Sequence, residues 1–111
     1  MDLKLTGKTA LITGASMGIG AHVAETLAAE GVHLHLTARS AEKLETLKAE
    51  IAKASDVSVT LHPLDLTSEG APDALAQAIC NVDILVNNAG AIPSGVIRFA
   101  HIVEKGVRYT V

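Results

Sequence analysis

The sequence predicts an α/β domain built on a doubly wound parallel sheet with helices on both faces. Three observations support this fold class: short apolar runs alternate with amphipathic runs, glycine-rich or polar turns separate them, and no internal repeat interrupts the order. This alternation is typical of β-α units joined in one parallel sheet. Four strands and three helices are expected through residue 90, and right-handed crossovers predict the strand order 3-2-1-4.

The first elements follow from local patterns. Residues 8–13 form a short apolar run that stops at a glycine, which favours a buried strand. A helix is predicted over about residues 19–30, because apolar residues recur every four positions and share one face. These residues are Ile19, Val23 and Leu27. Gly31 lies where a helix-ending glycine is common, and residues 32–37 predict the second strand.

The later elements continue the alternation. Ser40 is the predicted N-cap of a second helix, whose charges over residues 42–53 are interpreted as a solvated face. Its buried stripe is Leu44, Leu47 and Ile51. Alternation over 57–61 predicts a third strand nearer an edge. A proline near the first turn marks a third helix over about 68–80, and the apolar run 84–86 predicts a fourth strand.

Composition narrows the class of protein. The chain has 111 residues, of which 49% are hydrophobic, 19% charged and 2% aromatic, so one domain with an aliphatic core is expected. A net charge of −3 without a basic stripe disfavours nucleic acid as a partner. One cysteine excludes an internal disulfide and suits a reducing compartment. No signal peptide or membrane span is visible, so a cytoplasmic protein is expected.

The strongest motif is Thr-Gly-Ala-Ser-Met-Gly-Ile-Gly over residues 13–20, between the first strand and the first helix. Gly14 would allow a tight turn, Gly18 would let a pyrophosphate approach the backbone, and Gly20 would let the helix pack closely on the strand. The helix N-terminus then offers unpaired N–H groups to phosphates. The motif predicts a dinucleotide site in a Rossmann-type fold, with a glycine turn that binds no ligand as the alternative.

The end of the second strand indicates which dinucleotide is bound. This position meets the adenosine ribose, where an acidic residue binds the hydroxyls and an arginine accommodates a 2′-phosphate. Arg39 follows the uncharged residues Thr37 and Ala38, and Ser40 comes next. The pattern predicts NADP(H) rather than NAD(H) as the cofactor. A solvated arginine before a helix is the alternative interpretation.

Three motifs follow one another along the chain: the glycine motif at 13–20, Asp65 within Leu-Asp-Leu-Thr, and Asn-Asn-Ala-Gly at 87–90. Together they resemble the short-chain dehydrogenase/reductase family over about residues 5–95. The resemblance implies an oxidoreductase that moves a hydride between nicotinamide and an alcohol or ketone carbon. It also implies that Asp65 and Leu66 meet the adenine, and that residues 87–90 support the sheet and line the cofactor ribose. The expected cofactor-binding residues are Thr13, Gly14, Ser16, Met17, Gly18, Ile19, Gly20, Arg39, Ser40, Asp65, Leu66, Asn88, Ala89 and Gly90.

The sequence departs from the family pattern at two places. Met17 stands just before the second glycine, where many NADP-preferring members carry a basic residue. Members of the family carry a Tyr-x-x-x-Lys pair, in which the lysine lowers the pKa of the acid/base tyrosine. This sequence has no such pair, because Tyr109 is the only tyrosine and no lysine lies four residues after it. We therefore assign no catalytic residue, and Tyr109 is expected to be a half-buried strand residue.

Residues 1–95 are predicted to form the dinucleotide-binding portion and residues 96–111 an atypical tail. A truncated or frame-shifted gene, a deliberately shortened chain and an omitted internal segment are each compatible with this tail. Residues 96–103 have helical spacing, whereas residues 107–111 alternate like a strand. Three functions stay open for the chain: the cofactor-binding portion of a reductase, a non-catalytic dinucleotide-binding module or remnant, and a structural oligomer in which the dinucleotide site is vestigial.

Two further expectations concern partners and metals. A sheet that ended at the fourth strand would expose an apolar edge. Either the tail or a second copy of the chain must cover it, so a homo-oligomer is expected. His33 and His35 share one face of a strand and could hold a metal ion. No third ligand is near them in the sequence, so ordinary packing is favoured and no metal site is predicted.

Overall fold

The computed structural model describes residues 5–16, 18–65, 68–79, 82–88, 109 and 110. The sheet found there has five strands, which lie side by side in the order third, second, first, fourth and fifth along the chain. All neighbouring strands pair in parallel. This confirms the α/β class and the predicted order of the first four strands. The elements are β1 Thr9–Thr13, α1 Gly18–Ala29, β2 His33–Ala38, α2 Ala41–Ala54, β3 Val59–Pro63, α3 Ala71–Ala78, β4 Ile84–Asn87 and β5 Tyr109–Thr110.

Two apolar clusters lie on opposite faces of the sheet. The larger cluster joins alternate residues of β1, β2 and β4 to α1 and α2. In the smaller cluster, Leu11 and Leu85 pack with Leu75 and Ile79. The side chains are aliphatic, as the composition predicts, and burying each large one stabilises the fold by about 1.5–3 kcal/mol. In the part of the chain that the structure describes, no helix is long and apolar enough to span a membrane.

Helix α1 packs on the sheet through its smallest residues. Its buried positions are Gly20, Ala24 and Ala28, whereas Ile19 is 73% exposed. Val23 and Leu27 are only partly buried against the larger cluster. The predicted helix is confirmed to within one residue at each end, but its innermost face lies one position beyond the predicted apolar stripe. Small side chains let the helix axis approach the sheet more closely than isoleucine or leucine would.

The other helix boundaries follow the predicted signals. The Ser40 side chain accepts a hydrogen bond from the Lys43 backbone N–H at 3.2 Å, which makes it the N-cap of α2. Leu44, Leu47 and Ile51 are the buried residues of this helix, as predicted. Gly31 follows α1 with φ +83°, and α3 carries a proline in its first turn. The third helix is confirmed but is shorter than predicted, since it begins at Ala71 and ends at Ala78 rather than spanning about residues 68–80. Cys80 lies outside the described residues.

The sequence predicted which strand forms one edge of the sheet, but it left open what covers the other edge. β3 lies at one edge, as expected, although it begins at Val59. At the other edge β5 pairs with the first half of β4, with Tyr109 opposite Ile84 and Thr110 opposite Leu85. The tail therefore covers part of the β4 edge, and Tyr109 lies in a strand as expected. The helical spacing predicted over residues 96–103 lies outside the described residues.

A histidine pair joins β2 to β3 on the sheet face that also carries Leu11. His35 Nδ1 and His62 Nε2 are 2.9 Å apart, and the ring centroids are 5.1 Å apart. Burial lowers the pKa of both imidazoles, and the charge of His35 further lowers the pKa of His62. Since one ring nitrogen must donate and the other accept, the contact requires at least one neutral ring.

We expect the fold to lose stability as the pH falls below 6.5. Both histidine pKa values lie below 6.5 in the folded chain, so the unfolded chain takes up these protons first. The stability contributed by the neutral pair is present above pH 6.5 and is lost as the pH falls through the folded values. Melting temperatures from about pH 8 to about pH 5 measure this loss.

The matched control is a histidine on the surface of α1. His62→Gln should flatten the acid limb of the melting-temperature profile, because Gln does not titrate. His22→Gln, at an exposed position, should leave the limb unchanged. Identical acid limbs for His62→Gln and the parent chain would contradict the role of the pair.

Candidate functional site

The residues predicted to be functional gather at one edge of the sheet. The parallel register places Thr13 beside both Thr37 and Asn87, so β1, β2 and β4 end side by side. Ala38 lies beside Pro63, which brings β3 to the same edge. In open parallel sheets, ligands bind outside the carboxyl ends of the strands where the strand order reverses. That point lies between β1 and β4 in this sheet.

The turn after β1 has the backbone that the glycine motif requires. Gly14 has φ +63° and Gly18 has φ +62°, which are left-handed values that favour glycine. The turn is anchored to β2, because the N–H of the fully buried Ala15 donates to the Thr37 carbonyl oxygen at 3.1 Å. A Cβ at Gly18 would meet nothing within 4 Å among the described residues. The described residues therefore leave the space beside Gly18 open.

Gly20 is required by packing. A Cβ at this position would overlap the Gly14 carbonyl oxygen and would lie 2.8 Å from Asn88 Nδ2. Helix α1 thus touches the turn and the end of β4 at a position that lacks a side chain. This contact agrees with the close helix–strand packing that the sequence assigned to the third glycine.

Thr13 links the end of β1 to the end of β4. Its side chain is 1% exposed, and its hydroxyl donates to Asn87 Oδ1 at 3.0 Å. The same hydroxyl accepts from the Asn88 backbone N–H at 2.9 Å, while Asn88 Nδ2 donates to the Gly14 carbonyl oxygen at 3.3 Å. Asn88 therefore holds the glycine turn against the end of β4, and Asn87 joins the ends of β1 and β4. Both asparagines remain exposed at the edge of the sheet.

A second set of hydrogen bonds fixes the ends of β2 and β3. The hydroxyl of Thr37, which is fully buried, donates to the His62 carbonyl oxygen at 2.7 Å. The Leu64 N–H donates to the Ala38 carbonyl oxygen at 3.0 Å. These bonds carry the chain from β3 past the end of β2, so Asp65 follows two residues after Pro63 at the same edge.

Arg39 and Asp65 both lie at this edge, but they differ in solvent exposure. Arg39 is exposed, and its guanidinium forms no ion pair with any residue that the structure describes. Asp65 is half-buried, and its carbonyl oxygen accepts from the Ser68 N–H at 2.9 Å. Ser40 uses its side chain as the α2 cap. An exposed cation thus lies at the same edge of the sheet as the glycine turn.

A cleft of about 380 Å³ runs from the glycine turn along the first turns of α2. Its lining residues are Ser16, Ser40, Glu42, Lys43, Thr46, Leu47 and Glu50. Sequence reasoning assigned the charges of α2 to a solvated face, and Glu42, Lys43 and Glu50 are exposed. It did not place Lys43 in the lining of this cleft. The available signal was its spacing of three residues from the Ser40 cap, which places both on one side of the helix.

Met17, Leu66, Ala89 and Gly90 lie outside the described residues. The residues that the structure does bring to the carboxyl edge are Thr13, Gly14, Ser16, Gly18, Ile19, Gly20, Arg39, Ser40, Asp65 and Asn88.

The two histidines considered for a metal have separate partners. His33 Nδ1 accepts from the Ser58 N–H at 3.0 Å, whereas His35 contacts His62 across the strands. Within the described ranges, no group of three or more His, Cys, Asp or Glu side chains is arranged to hold a metal ion.

The strand order, the open glycine turn and the asparagines at the end of β4 define a Rossmann-type α/β protein. The chain belongs to the short-chain dehydrogenase/reductase family, because the family described as short chain dehydrogenase matches residues 8–109. This match extends past residue 95, where the resemblance seen in the motifs ended.

Individual relatives share this part of the fold. A fatty acyl-CoA reductase of Acinetobacter baylyi is 48% identical over 88 residues, which are 76% of this chain and 30% of the relative. An L-sorbose reductase of Gluconobacter frateurii, solved with NADPH and L-sorbose, matches with a TM-score of 0.87 and 29% identity over 96% of this chain and 49% of that one.

A further solved structure, a 7α-hydroxysteroid dehydrogenase with NADH and a 7-oxo bile acid, matches with a TM-score of 0.85 and 28% identity. The match covers 95% of this chain and 50% of the hydroxysteroid dehydrogenase chain. The chain therefore spans between about a third and a half of the length of these relatives.

We expect Gly20→Ala to destabilise the fold by about 1–3 kcal/mol, the usual cost of overpacking. The added methyl group would press on the Gly14 carbonyl oxygen and displace α1 from the end of β4. Urea unfolding followed by circular dichroism measures the loss. Gly18→Ala is the matched control, because its methyl enters open space and costs only left-handed strain of about 1–2 kcal/mol. If Gly20→Ala unfolds at the same urea concentration as the parent chain, the packing role is wrong.

Proposed function

We propose that this chain forms the NADP(H)-binding portion of an oxidoreductase, with residues 1–95 as the binding portion. The observation that carries the proposal is the glycine turn at the strand-order switch, where no described residue fills the space beside Gly18. Arg39 is exposed at the same edge and forms no ion pair with a described residue. The site and the family membership support the same class of ligand. A pyrophosphate would meet the turn, and the adenosine would extend from it toward the ends of β2 and β3.

The first turn of α1 suits the pyrophosphate and its neighbouring groups. The first N–H groups of a helix lack intrahelical partners and carry partial positive charge. Gly18 leaves room for phosphate oxygens to reach this backbone. Ile19 is the exposed large hydrophobic residue of the described chain, and its position supports an apolar contact with the cofactor.

The adenosine end would lie between β2 and β3. The hydrogen bonds of Thr37 and Leu64 hold these strand ends together, so Arg39 and Asp65 follow adjacent strands at the same edge of the sheet. By family resemblance, Asp65 with Leu66 would meet the adenine, and Asn88 to Gly90 would line the cofactor ribose. The Asn88 amide already binds the glycine turn, so we propose that it positions the turn and faces the cofactor with its remaining polar groups.

The preference for NADP(H) rests on charge at the end of β2. Neither Thr37 nor Ala38 offers a carboxylate to the ribose hydroxyls, whereas Arg39 offers a guanidinium to a 2′-phosphate. Relatives of this fold take either cofactor, since the L-sorbose reductase was solved with NADPH and the hydroxysteroid dehydrogenase with NADH. Local charge in this chain is therefore the basis for choosing between them.

The reaction class is that of the family. Bound nicotinamide would supply or accept the hydride exchanged with an alcohol or ketone carbon. The 111 residues hold no Tyr-x-x-x-Lys pair, so we propose that the contribution of this chain is to bind and orient the dinucleotide. That contribution is the same in a reductase portion and in a non-catalytic binding module, and calorimetry measures it directly. Self-association along the part of the β4 edge beyond β5 belongs to the same proposal.

We expect Arg39→Ala to weaken NADP(H) binding by about tenfold, a loss of about 1.4 kcal/mol that allows for solvent screening of an exposed charge. NAD(H) binding should change little, because that cofactor lacks the 2′-phosphate. Isothermal titration calorimetry with both cofactors measures the difference. Equal losses for the two cofactors would reject the assigned role of Arg39.

We expect Gly18→Asn to weaken both dinucleotides by about tenfold or more, because a side chain would occupy the space of the pyrophosphate. Asparagine tolerates the left-handed backbone better than most residues, so the domain should stay folded. Gly7→Asn is the matched control: Gly7 has φ +82° and open space around it, and it lies before β1 at the opposite end of the sheet. Unchanged affinity in a folded Gly18→Asn chain would show that the turn is not the site.

A further inference from the structure

We infer that Thr37 is a positioning residue of the dinucleotide site, and that its hydroxyl fixes the glycine turn, β2 and the end of β3 relative to one another. This inference rests on the proposed function and deepens it. Thr37 is 0% exposed, so its side chain does not reach a bound dinucleotide. Any effect of Thr37 on binding must therefore pass through the groups to which it is bonded.

Thr37 is bonded to both parts of the proposed site. Its carbonyl oxygen accepts from the N–H of Ala15 in the glycine turn at 3.1 Å. Its hydroxyl donates to the carbonyl oxygen of His62 in β3 at 2.7 Å. The proposed pyrophosphate position lies at the glycine turn, and the proposed adenosine position lies at the ends of β2 and β3. One residue thus joins the elements that would meet the two halves of the ligand.

The hydroxyl of Thr37 is not needed to fill the strand. Leu34 and Leu36 of the same strand are apolar and buried, and valine has the same β-branched shape as threonine and also favours strands. A buried hydroxyl costs free energy unless it forms a hydrogen bond. The distance to the His62 carbonyl oxygen is close to the most common value for an O–H···O bond. The hydroxyl therefore serves the link between β2 and β3 rather than the apolar core.

A ligand that touches several elements binds more tightly when those elements are already held in place. Otherwise binding has to order them, and this ordering subtracts from the affinity. Thr37 and His62 are direct partners in the strand register, so their bond resists a shift of β2 against β3. Such a shift would also move the glycine turn, because Ala15 is bonded to Thr37. NADP(H) and NAD(H) should both lose affinity, since they share the pyrophosphate and the adenosine.

The test uses three variants that separate the hydroxyl of Thr37 from its volume. Thr37→Val removes the hydroxyl and keeps the volume, Thr37→Ser keeps the hydroxyl and removes the methyl group, and Thr37→Ala removes both. Calorimetry with NADP⁺ and NAD⁺ measures affinity. Thr37→Val should weaken both dinucleotides by about threefold to tenfold, the equilibrium factor of about one hydrogen bond. Thr37→Ser should bind both within about twofold of the parent chain.

A purely structural role of Thr37 predicts a different order of affinities. Thr37→Ser loses a buried methyl group, so its melting temperature by circular dichroism should fall, while its affinity should stay near that of the parent chain. Affinity should thus follow the hydroxyl and not the melting temperature. If Thr37→Val does not fold, Thr37→Ser and Thr37→Ala make the same comparison, because they differ only in the hydroxyl.

The matched control is Thr6→Val. The Thr6 hydroxyl also donates to a carbonyl oxygen far along the chain, that of Glu30 after α1, at 3.2 Å. This bond precedes β1 and lies at the opposite end of the sheet from the glycine turn. Its loss should leave the affinities for NADP⁺ and NAD⁺ unchanged.

The outcomes separate the inference from the proposed function. If the folded parent chain binds neither dinucleotide, the proposed function and the inference are both wrong. If the parent binds but the variants without the hydroxyl bind as tightly as those with it, only the inference is wrong. Affinity that follows the methyl group, or a loss confined to NADP⁺, would also overturn the inference, because the hydroxyl would then not position the elements that both dinucleotides share.

Discussion

The contact of Gly20 with the Gly14 carbonyl and the Asn88 amide sets the distance between α1 and the sheet. A helix that starts so close to the strand before it leaves only a short turn, and this turn has positive φ at Gly14 and Gly18. The same closeness explains why α1 buries Gly20, Ala24 and Ala28. The unpaired N–H groups of its first turn are thereby brought to the carboxyl edge of the sheet.

Two buried threonines make this edge both rigid and polar. Thr13 ties β1 to β4 through both asparagines, and Thr37 ties β2 to β3 through a carbonyl oxygen. In the described part of the chain, no buried side-chain nitrogen or oxygen lacks a hydrogen-bond partner. An unsatisfied group there would cost about 1–3 kcal/mol. The edge can therefore present polar groups to a ligand without weakening the core beneath it.

The two faces of the sheet differ in charge near this edge. The neutral His35–His62 pair holds β2 to β3 on one face of the sheet. The cleft with Lys43 lies between the glycine turn and α2, and α2 packs on the other face with the larger apolar cluster. The end of β2, which would meet the adenosine, is thus held by hydrogen bonds on one side and faces a charged cleft on the other.

The sequence by itself determined the features that depend on residues close to one another along the chain. The cap at Ser40, the buried stripe of α2 and the glycine after α1 all follow from contacts within a few positions. The strand order and the gathering of motifs at one edge also followed, because right-handed crossovers leave few arrangements for β-α units.

Only the tertiary structure decided the features that depend on distance between elements. The face that α1 buries differs from the predicted stripe, because close packing on the sheet selects small residues. His35 meets His62 rather than His33, since strand register decides which side chains approach across the sheet. Lys43 shares a cleft with Ser16 because α2 packs beside the glycine turn. Such contacts join residues far apart in the chain, and no local pattern encodes the spacing that brings them together.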